Sequence, residues 1–421
     1  MSQSIASSQA MPAASALSLR LARAGNLLLV LLPLAMWLAN RSAPLMLGLA
    51  ALCFLGAALA DQGAPAFLRR LRDLALTPIG LALGAFLLWS LVSILWSHRP
   101  IASLVMWGEL AIPLACGLLI AASGWFRPRP AWLRALALAI ILACVLVIIE
   151  LVSGMSQRAT LGIGKLMSFV FNRPAITALV LAMPTIHGLW NLPAGRRSDR
   201  ILAVILALAV ATCALRSESA SARLGVAVCA IGWLLAVYWP RLTLAAVGCA
   251  FVLTFTMAPV LGVAAQNWLP SLILNRFSAM TGQARIDIWR SFGEVVWVRP
   301  VAGAGFGASA SMERHPVAAA VAPEHRTLLG VGHPHDMPLQ AWAETGMIGA
   351  GILVLAGLLL LRRLRHLPAR EMAPRLALFA GAFAISVVGH GAWQGWWIAV
   401  LGAAILWFGP GAAAPQGEDH G

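Results

Sequence analysis

Trp132-Leu133-Arg134-Ala135-Leu136-Ala137-Leu138-Ala139-Ile140-Ile141-Leu142-Ala143-Cys144-Val145-Leu146-Val147-Ile148-Ile149-Glu150-Leu151-Val152-Ser153 decides the class of fold. No polar residue lies between Arg134 and Glu150. A helix on the surface of a soluble domain carries a polar stripe, and this run has none. Roughly 20 apolar residues in a helix cross the ~30 Å hydrocarbon layer of a bilayer. The pattern recurs at 26–39, 44–60, 79–96, 103–122, 174–191, 201–215, 223–239, 242–264, 337–361, 374–390 and 394–409. The composition agrees: 60% hydrophobic and 11% charged, against about 25% charged in soluble domains. The mean hydropathy is +0.84. The sequence therefore predicts an all-α polytopic integral membrane protein with about twelve transmembrane helices and one large loop between spans nine and ten.

The basic residues orient the chain. All but Lys165 of the 30 are arginine. With the N-terminus in the cytoplasm, 17 fall on inside segments, 7 in short outside loops and 6 in the long loop. The positive-inside rule counts short loops, so both termini are expected in the cytoplasm and the long loop outside. The expected organisation is a disordered cytoplasmic leader over 1–25, spans one to nine over 26–264, a periplasmic loop with an amphipathic helix over 265–336, spans ten to twelve over 337–409, and a cytoplasmic tail over 410–421. The arginines are scattered over many loops, which argues against a nucleic-acid surface. The six cysteines all lie in apolar runs without CxxC spacing and read as small buried hydrophobes.

Within the long loop, Ala284–Val298 carries Ile288, Trp289, Phe292, Val295, Val296 and Trp297 at helical spacing, as expected of an amphipathic helix on the bilayer surface. Pro300-Val301-Ala302-Gly303-Ala304-Gly305-Phe306-Gly307 follows and fits either an anion-binding nest or an ordinary turn. Trp393, Trp396 and Trp397 at the start of the last span fit an aromatic belt.

Chemistry is expected where the loop enters span ten, at Gly332-His333-Pro334-His335-Asp336. Three readings of this stretch stand side by side. His333, His335 and Asp336 can supply metal ligands. The histidines can form a satisfied structural pair. One of them can act as a general base, because imidazole titrates near working pH. Outward-facing cations surround them: Arg285 and Arg290 on the amphipathic stretch, Arg216 and Arg223 bracketing the polar hairpin 216–223, and Arg173 at a span end. Each can contact a lipid phosphate, and together they suit a lipid-linked diphosphate. Glu109 and Glu150 inside spans raise a transporter of lipid-linked glycans as the non-enzyme alternative.

His335-Asp336, followed after nine residues by Gly346-x-x-Gly349, resembles the signature of the O-antigen ligases and the related O-antigen polymerases of bacterial envelopes. That signature has His, then usually Asn, Ser or Gln, and Asp336 departs from it. Arg285-Ile286-Asp287-Ile288-Trp289 and the Pro300 to Gly307 series resemble the family's Arg-x-x-x-Trp and Pro-x-x-Gly-x-Gly runs. The hairpin 217–225 stands where the family has a Ser-Arg pair, with Arg216 or Arg223 as the substitute. The resemblance implies a glycosyltransferase of the inner membrane whose site faces the periplasm and which needs no metal or cofactor. Its donor would be a glycan on undecaprenyl diphosphate. Its acceptor would be a hydroxyl of lipid A–core, or, in a polymerase, a second lipid-linked glycan. It singles out His335 as the base and gives diphosphate or substrate binding to Arg285, Arg216, Arg223, Arg290, Asp336 and His333. Asp336 is expected to raise the His335 pKa by its charge.

Overall fold

A computed structural model describes residues 15–164, 166–192, 196–268 and 282–409. Five helices come first: α1 (Ala16–Leu38), α2 (Ala43–Ala75), α3 (Pro78–Ser93), α4 (Pro100–Ser123) and α5 (Pro130–Val152). A short α6 (Ser156–Thr160) leads to α7 (Asn172–Trp190), α8 (Arg197–Arg216), α9 (Ala220–Tyr238) and α10 (Pro240–Met257). α11 (Leu261–Trp268) continues the span begun by α10, and the large loop after it holds α12 (Gly282–Val298) and α13 (Pro323–Arg326). The chain ends with α14 (Met337–Leu364), α15 (Ala369–Val388) and α16 (Gly395–Phe408). No strand occurs among the described residues.

Each of the twelve apolar runs coincides with a helix. Eleven helical segments are long and apolar enough to cross a membrane; α16 is apolar but has only 14 residues. One boundary differs from expectation. The first helix begins at Ala16 instead of near residue 26, so part of the stretch assigned to a disordered leader is helical. Ser15 caps it, its side chain accepting from the Ser18 N–H. Hydropathy marks where hydrocarbon can begin; a helix continues for as long as its residues tolerate the conformation, as Ala and Leu do here. The ends of the chain, 1–14 and 410–421, lie outside the described residues.

The helices pack around α7, which is buried on nearly all sides through Ala175, Ala178, Ala182 and their neighbours. Small residues allow the close backbone approach on which helix packing in lipid depends. Contacts define two ends of the bundle. At one end, Asn40 donates to the Val170 carbonyl, Arg158 to the Trp37 carbonyl, and His98 pairs with Ser311. This loop face carries the large loop. At the other end, Arg134 forms a bidentate pair with Asp199, and Glu371 binds both His187 and Arg375.

The amphipathic helix is present as α12, and protein covers most of its apolar face, leaving Trp297 and Val298 at its end exposed. Ile288, Phe292, Val295 and Val296 are buried with Ala304, Met312, Val317 and Leu329 of the loop and with Leu339 and Ala343 of α14. Full burial of a side chain such as Phe292 contributes about 1.5–3 kcal/mol. The loop thus builds a small core on top of α14, where a domain of its size alone would be marginal.

Candidate active site

α14 is two helices joined at a kink. Gly346 takes φ 65°, ψ −167°, which interrupts the ladder inside the span. Backbone groups freed at membrane depth must find partners in the protein. They find them in the glycine series. The N–H groups of Ala304 and Gly305 donate to the carbonyls of Ala343 and Glu344, at 2.8 and 2.9 Å. Met347 and Ile348 donate back to the carbonyls of Pro300 and Val301, and the Trp89 indole donates to that of Thr345. A Cβ on Gly346 would lie 2.2 Å from the Val301 oxygen, and one on Gly303 2.4 Å from the Glu344 carbonyl carbon. The Gly-x-x-Gly and Pro-x-x-Gly-x-Gly runs are therefore two halves of one joint.

This also resolves the nest. Its N–H groups are spent inside the protein, and the anion it meets is internal: Gly307 N–H donates to Glu344 Oε2 at 2.7 Å. The fully buried Glu344 carboxylate also accepts from Gln340 Nε2 at 2.9 Å and from Trp393 Nε1 at 2.8 Å. Gln340 Oε1 in turn accepts from the Ala392 N–H. Asp336, Gln340 and Glu344 stand four residues apart on one side of α14. Gln340 and Glu344 fasten the loop that joins α15 to α16.

That loop delivers the partner of His335. The Gly389 carbonyl lies 2.9 Å from His335 Nδ1. A carbonyl only accepts, so Nδ1 carries the proton and Nε2 keeps its lone pair. His335 adopts φ 54°, a left-handed backbone uncommon for a residue with a side chain. Its N–H donates to His333 Nδ1 at 3.2 Å, and the two rings lie 4.1 Å apart. His333 is thus a brace for the His335 backbone. Burial lowers the pKa of His335, with Arg285 adding to the effect and the Gly389 hydrogen bond opposing it. Burial, then His335 and His390, push His333 down to about 3.

The Arg-x-x-x-Trp spacing gains a physical meaning. Arg285 and Trp289 share one face of α12. The Trp289 indole donates to the Pro334 carbonyl at 3.1 Å, which fixes this end of α12 beside the histidines. Arg285 then stands close enough to act electrostatically on His335.

Other candidates are placed differently. Asp336 is the N-cap of α14, its Oδ1 accepting from the Leu339 N–H at 2.7 Å while Oδ2 is buried without a partner. Burial raises its pKa to about 7, against the Leu339 hydrogen bond. The expectation that Asp336 raises the His335 pKa fails on both counts: its carboxyl is committed to the helix end, and His335 is lowered. Nor do His333, His335 and Asp336 form a group that could hold a metal ion, among the described residues. Arg290 donates to Gln266 on α11, and Arg223 to the Ser217 carbonyl. Arg216 and Arg223 are both exposed, on a hairpin whose Ser221 lies beside Gly389.

The loop 389–394 was not foreseen. Trp393, Trp396 and Trp397 are buried, so they are not an aromatic belt facing lipid. Trp393 serves Glu344, and the other two pack edge-on against His390, with centroids 4.8 and 4.9 Å away. The signal was present in the polar stripe Asp336, Gln340, Glu344 on an otherwise apolar helix and in Gly389-His390-Gly391 between two spans.

Residues 202–354 match the O-Antigen ligase family model. The matched segment holds Arg285, Trp289, the glycine series, His335, Gly346 and Gly349. A protein of Rickettsia felis named "Putative polysaccharide ligase" is 23% identical over 333 residues, covering 74% of this chain and 75% of that protein. The likeness to the O-antigen ligase family seen in the histidine motif therefore extends over residues 202–354. With its membrane spans, the protein is a multi-pass membrane protein whose segment 202–354 is similar to the O-antigen ligase family.

Proposed function

We propose that this protein moves a glycan from undecaprenyl diphosphate to a hydroxyl of lipid A–core at the periplasmic side of the bacterial inner membrane. The carrying observation is the bond from His335 Nδ1 to the Gly389 carbonyl. It leaves Nε2 as an unprotonated, oriented acceptor on a residue whose ordinary pKa is already near neutral.

His335 Nε2 takes the proton of the acceptor hydroxyl as its oxygen attacks the anomeric carbon. The bond from that carbon to the diphosphate oxygen breaks, and undecaprenyl diphosphate leaves with the electron pair. Arg285 offsets the charge that develops there. Arginine presents a planar fork to phosphate oxygens, so the charge is met without a metal step. Arg216 and Arg223, exposed on the hairpin beside Gly389, meet the donor as it enters, while Arg290 keeps α11 against α12. His333 and Asp336 serve the base through the backbone.

A polymerase would use the same donor chemistry with a second lipid-linked glycan as acceptor. The lipopolysaccharide of a deletion strain separates the two. Core without an O-chain ladder, with lipid-linked polymer accumulating, identifies the ligase. Core bearing a single repeat identifies the polymerase, and a normal ladder rejects both. A His335→Ala strain that restores a full ladder would remove the proposed base.

A further inference from the structure

Arg173 opens α7 at the loop face, half-buried among aromatic and amide groups. Its Nη2 lies 3.4 Å from Gln394 Oε1, and its guanidinium lies 5.5 Å from the centroid of the Trp396 ring. The Trp396 indole donates to the same Gln394 oxygen, and its ring packs on His390. Arg41, from the turn between α1 and α2, is near enough to act electrostatically on Arg173, and Glu109 acts in the opposite sense. Arg173 and His335 both act on His390, and Arg285 acts on His335. The histidines therefore have a guanidinium on each flank: Arg285 on the His335 side and Arg173 on the His390 side.

Packing leaves two things unexplained. Two cations, Arg41 and Arg173, share one part of the loop face with one acid, Glu109. Beside them, His390 spends Nδ1 on the Gly391 carbonyl and keeps a buried Nε2 with no hydrogen-bond partner. A lipid phosphate at the rim accounts for an exposed arginine such as Arg41. It does not account for one set between a glutamine and a tryptophan beside an unsatisfied imidazole.

We propose that Arg173 and Arg41 form a second anion subsite that grips the diphosphate of the lipid-linked donor from the His390 side, while Arg285 grips it from the His335 side. Guanidinium groups suit this task because each can bind two phosphate oxygens at once. The amino end of α7 adds partial positive charge, and Arg173 lies in its first turn. The sugar on the diphosphate supplies hydroxyl donors of the kind that His390 Nε2 lacks. The inference rests on the donor being a polyprenyl diphosphate, and its test separates the two.

The probe is farnesyl diphosphate, with farnesol as the uncharged control, titrated against the full-length protein in nanodiscs. Wild type should prefer the diphosphate. Arg173→Ala should weaken diphosphate binding by about tenfold to a hundredfold, the scale of a lost charge-assisted hydrogen bond, and leave farnesol binding unchanged. Arg173→Lys should lose less. Arg41→Ala replaces an exposed side chain and keeps the test open if the α7 variant does not fold; it should weaken diphosphate binding in the same direction. Unchanged diphosphate affinity in Arg173→Lys and Arg41→Ala, with Arg285→Ala impaired, would overturn the second subsite and leave the proposed function standing. A wild type that prefers farnesol would overturn the donor assignment itself.

Discussion

Asp336→Asn should make this protein more stable, and only where the pH is high enough. Asp336 is buried, with one oxygen on the Leu339 N–H and the other without a partner. Its carboxyl is pushed up to about 7 from an ordinary value of 3.8. The folded state thus holds the proton more tightly than the unfolded chain. Below about pH 4 the group is protonated in both states and costs nothing. From there to about pH 7 the unfolded chain ionises while the folded one resists, and stability falls as pH rises. Above pH 7 the penalty is complete and on the order of 4 kcal/mol. Asparagine keeps the oxygen that caps the helix and cannot ionise. It forgoes the attraction between a carboxylate and the helix amino end, about 0.3–1 kcal/mol. The net gain is roughly 2–4 kcal/mol at pH 8 and close to zero at pH 4. Tryptophan-fluorescence melts of the purified protein in one detergent, at pH 5 and pH 8, measure it. The melting temperature of the variant should exceed that of wild type by more at pH 8. A variant less stable at pH 8, or a difference independent of pH, would refute the account of Asp336. Glycan transfer should survive, because the side chain acts on the helix end and Asn is one of the residues, with Ser and Gln, usual at this place in the family that the motif resembles.

His335 is held below its ordinary value, so its base form should dominate at neutral pH and transfer should fall off only on the acid side of about 6.5. His333 at about 3 and His390 at about 4 stay neutral through that range, so the acid limb of a pH–rate profile should have a slope of one; a slope of two would mean that a second histidine takes part. Gly346→Ala places a Cβ 2.2 Å from the Val301 oxygen at φ 65°, which should cost more than about 3 kcal/mol, whereas Gly351→Ala, with nothing within 4 Å, should gain up to about 1 kcal/mol from helix propensity. Parallel melts of the two variants decide it, and equal effects would dissolve the joint. Glu344→Gln keeps one acceptor oxygen and turns its amide N–H₂ either towards the Gln340 donor or towards the Gly307 and Trp393 donors; a loss of about 1–3 kcal/mol in melting stability and a detached 389–394 loop, seen as faster hydrogen exchange at Ala392, are the expected results.

Hydropathy alone placed every membrane helix, because the bilayer imposes a length and polarity rule that each segment obeys by itself. The start of α1 was misplaced for the same reason, since Arg20 and Arg23 are polar yet helical. The motif spacing pointed to His335 but not to what orients it. Gly389 lies 54 residues downstream, and no local periodicity links a carbonyl to an imidazole across that distance. The tryptophans near α16 were misjudged because composition cannot tell an indole facing lipid from one serving a buried carboxylate. Arg216, Arg223 and Arg290 were chosen by their side of the membrane, a criterion too coarse to separate a cation beside the base from one that braces a neighbouring helix.

The break at Gly346 has a mechanical consequence. The upper rod, 337–345, is bonded to the glycine series and, through Gln340 and Glu344, to the 389–394 loop. The lower rod, 347–364, is tied to the same loop only at its start, where Met347 and Ile348 donate to the Pro300 and Val301 carbonyls, and runs on as a plain membrane helix. Bilayers differ in thickness, and a spanning helix answers by tilting. In an unbroken α14 that tilt would swing His335 about the far end of the helix like the tip of a lever. The break at Gly346 ends the rigid rod, and the loop grips the chain on both sides of it, so the base is mounted on the loop-face scaffold and not on the end of one long membrane helix.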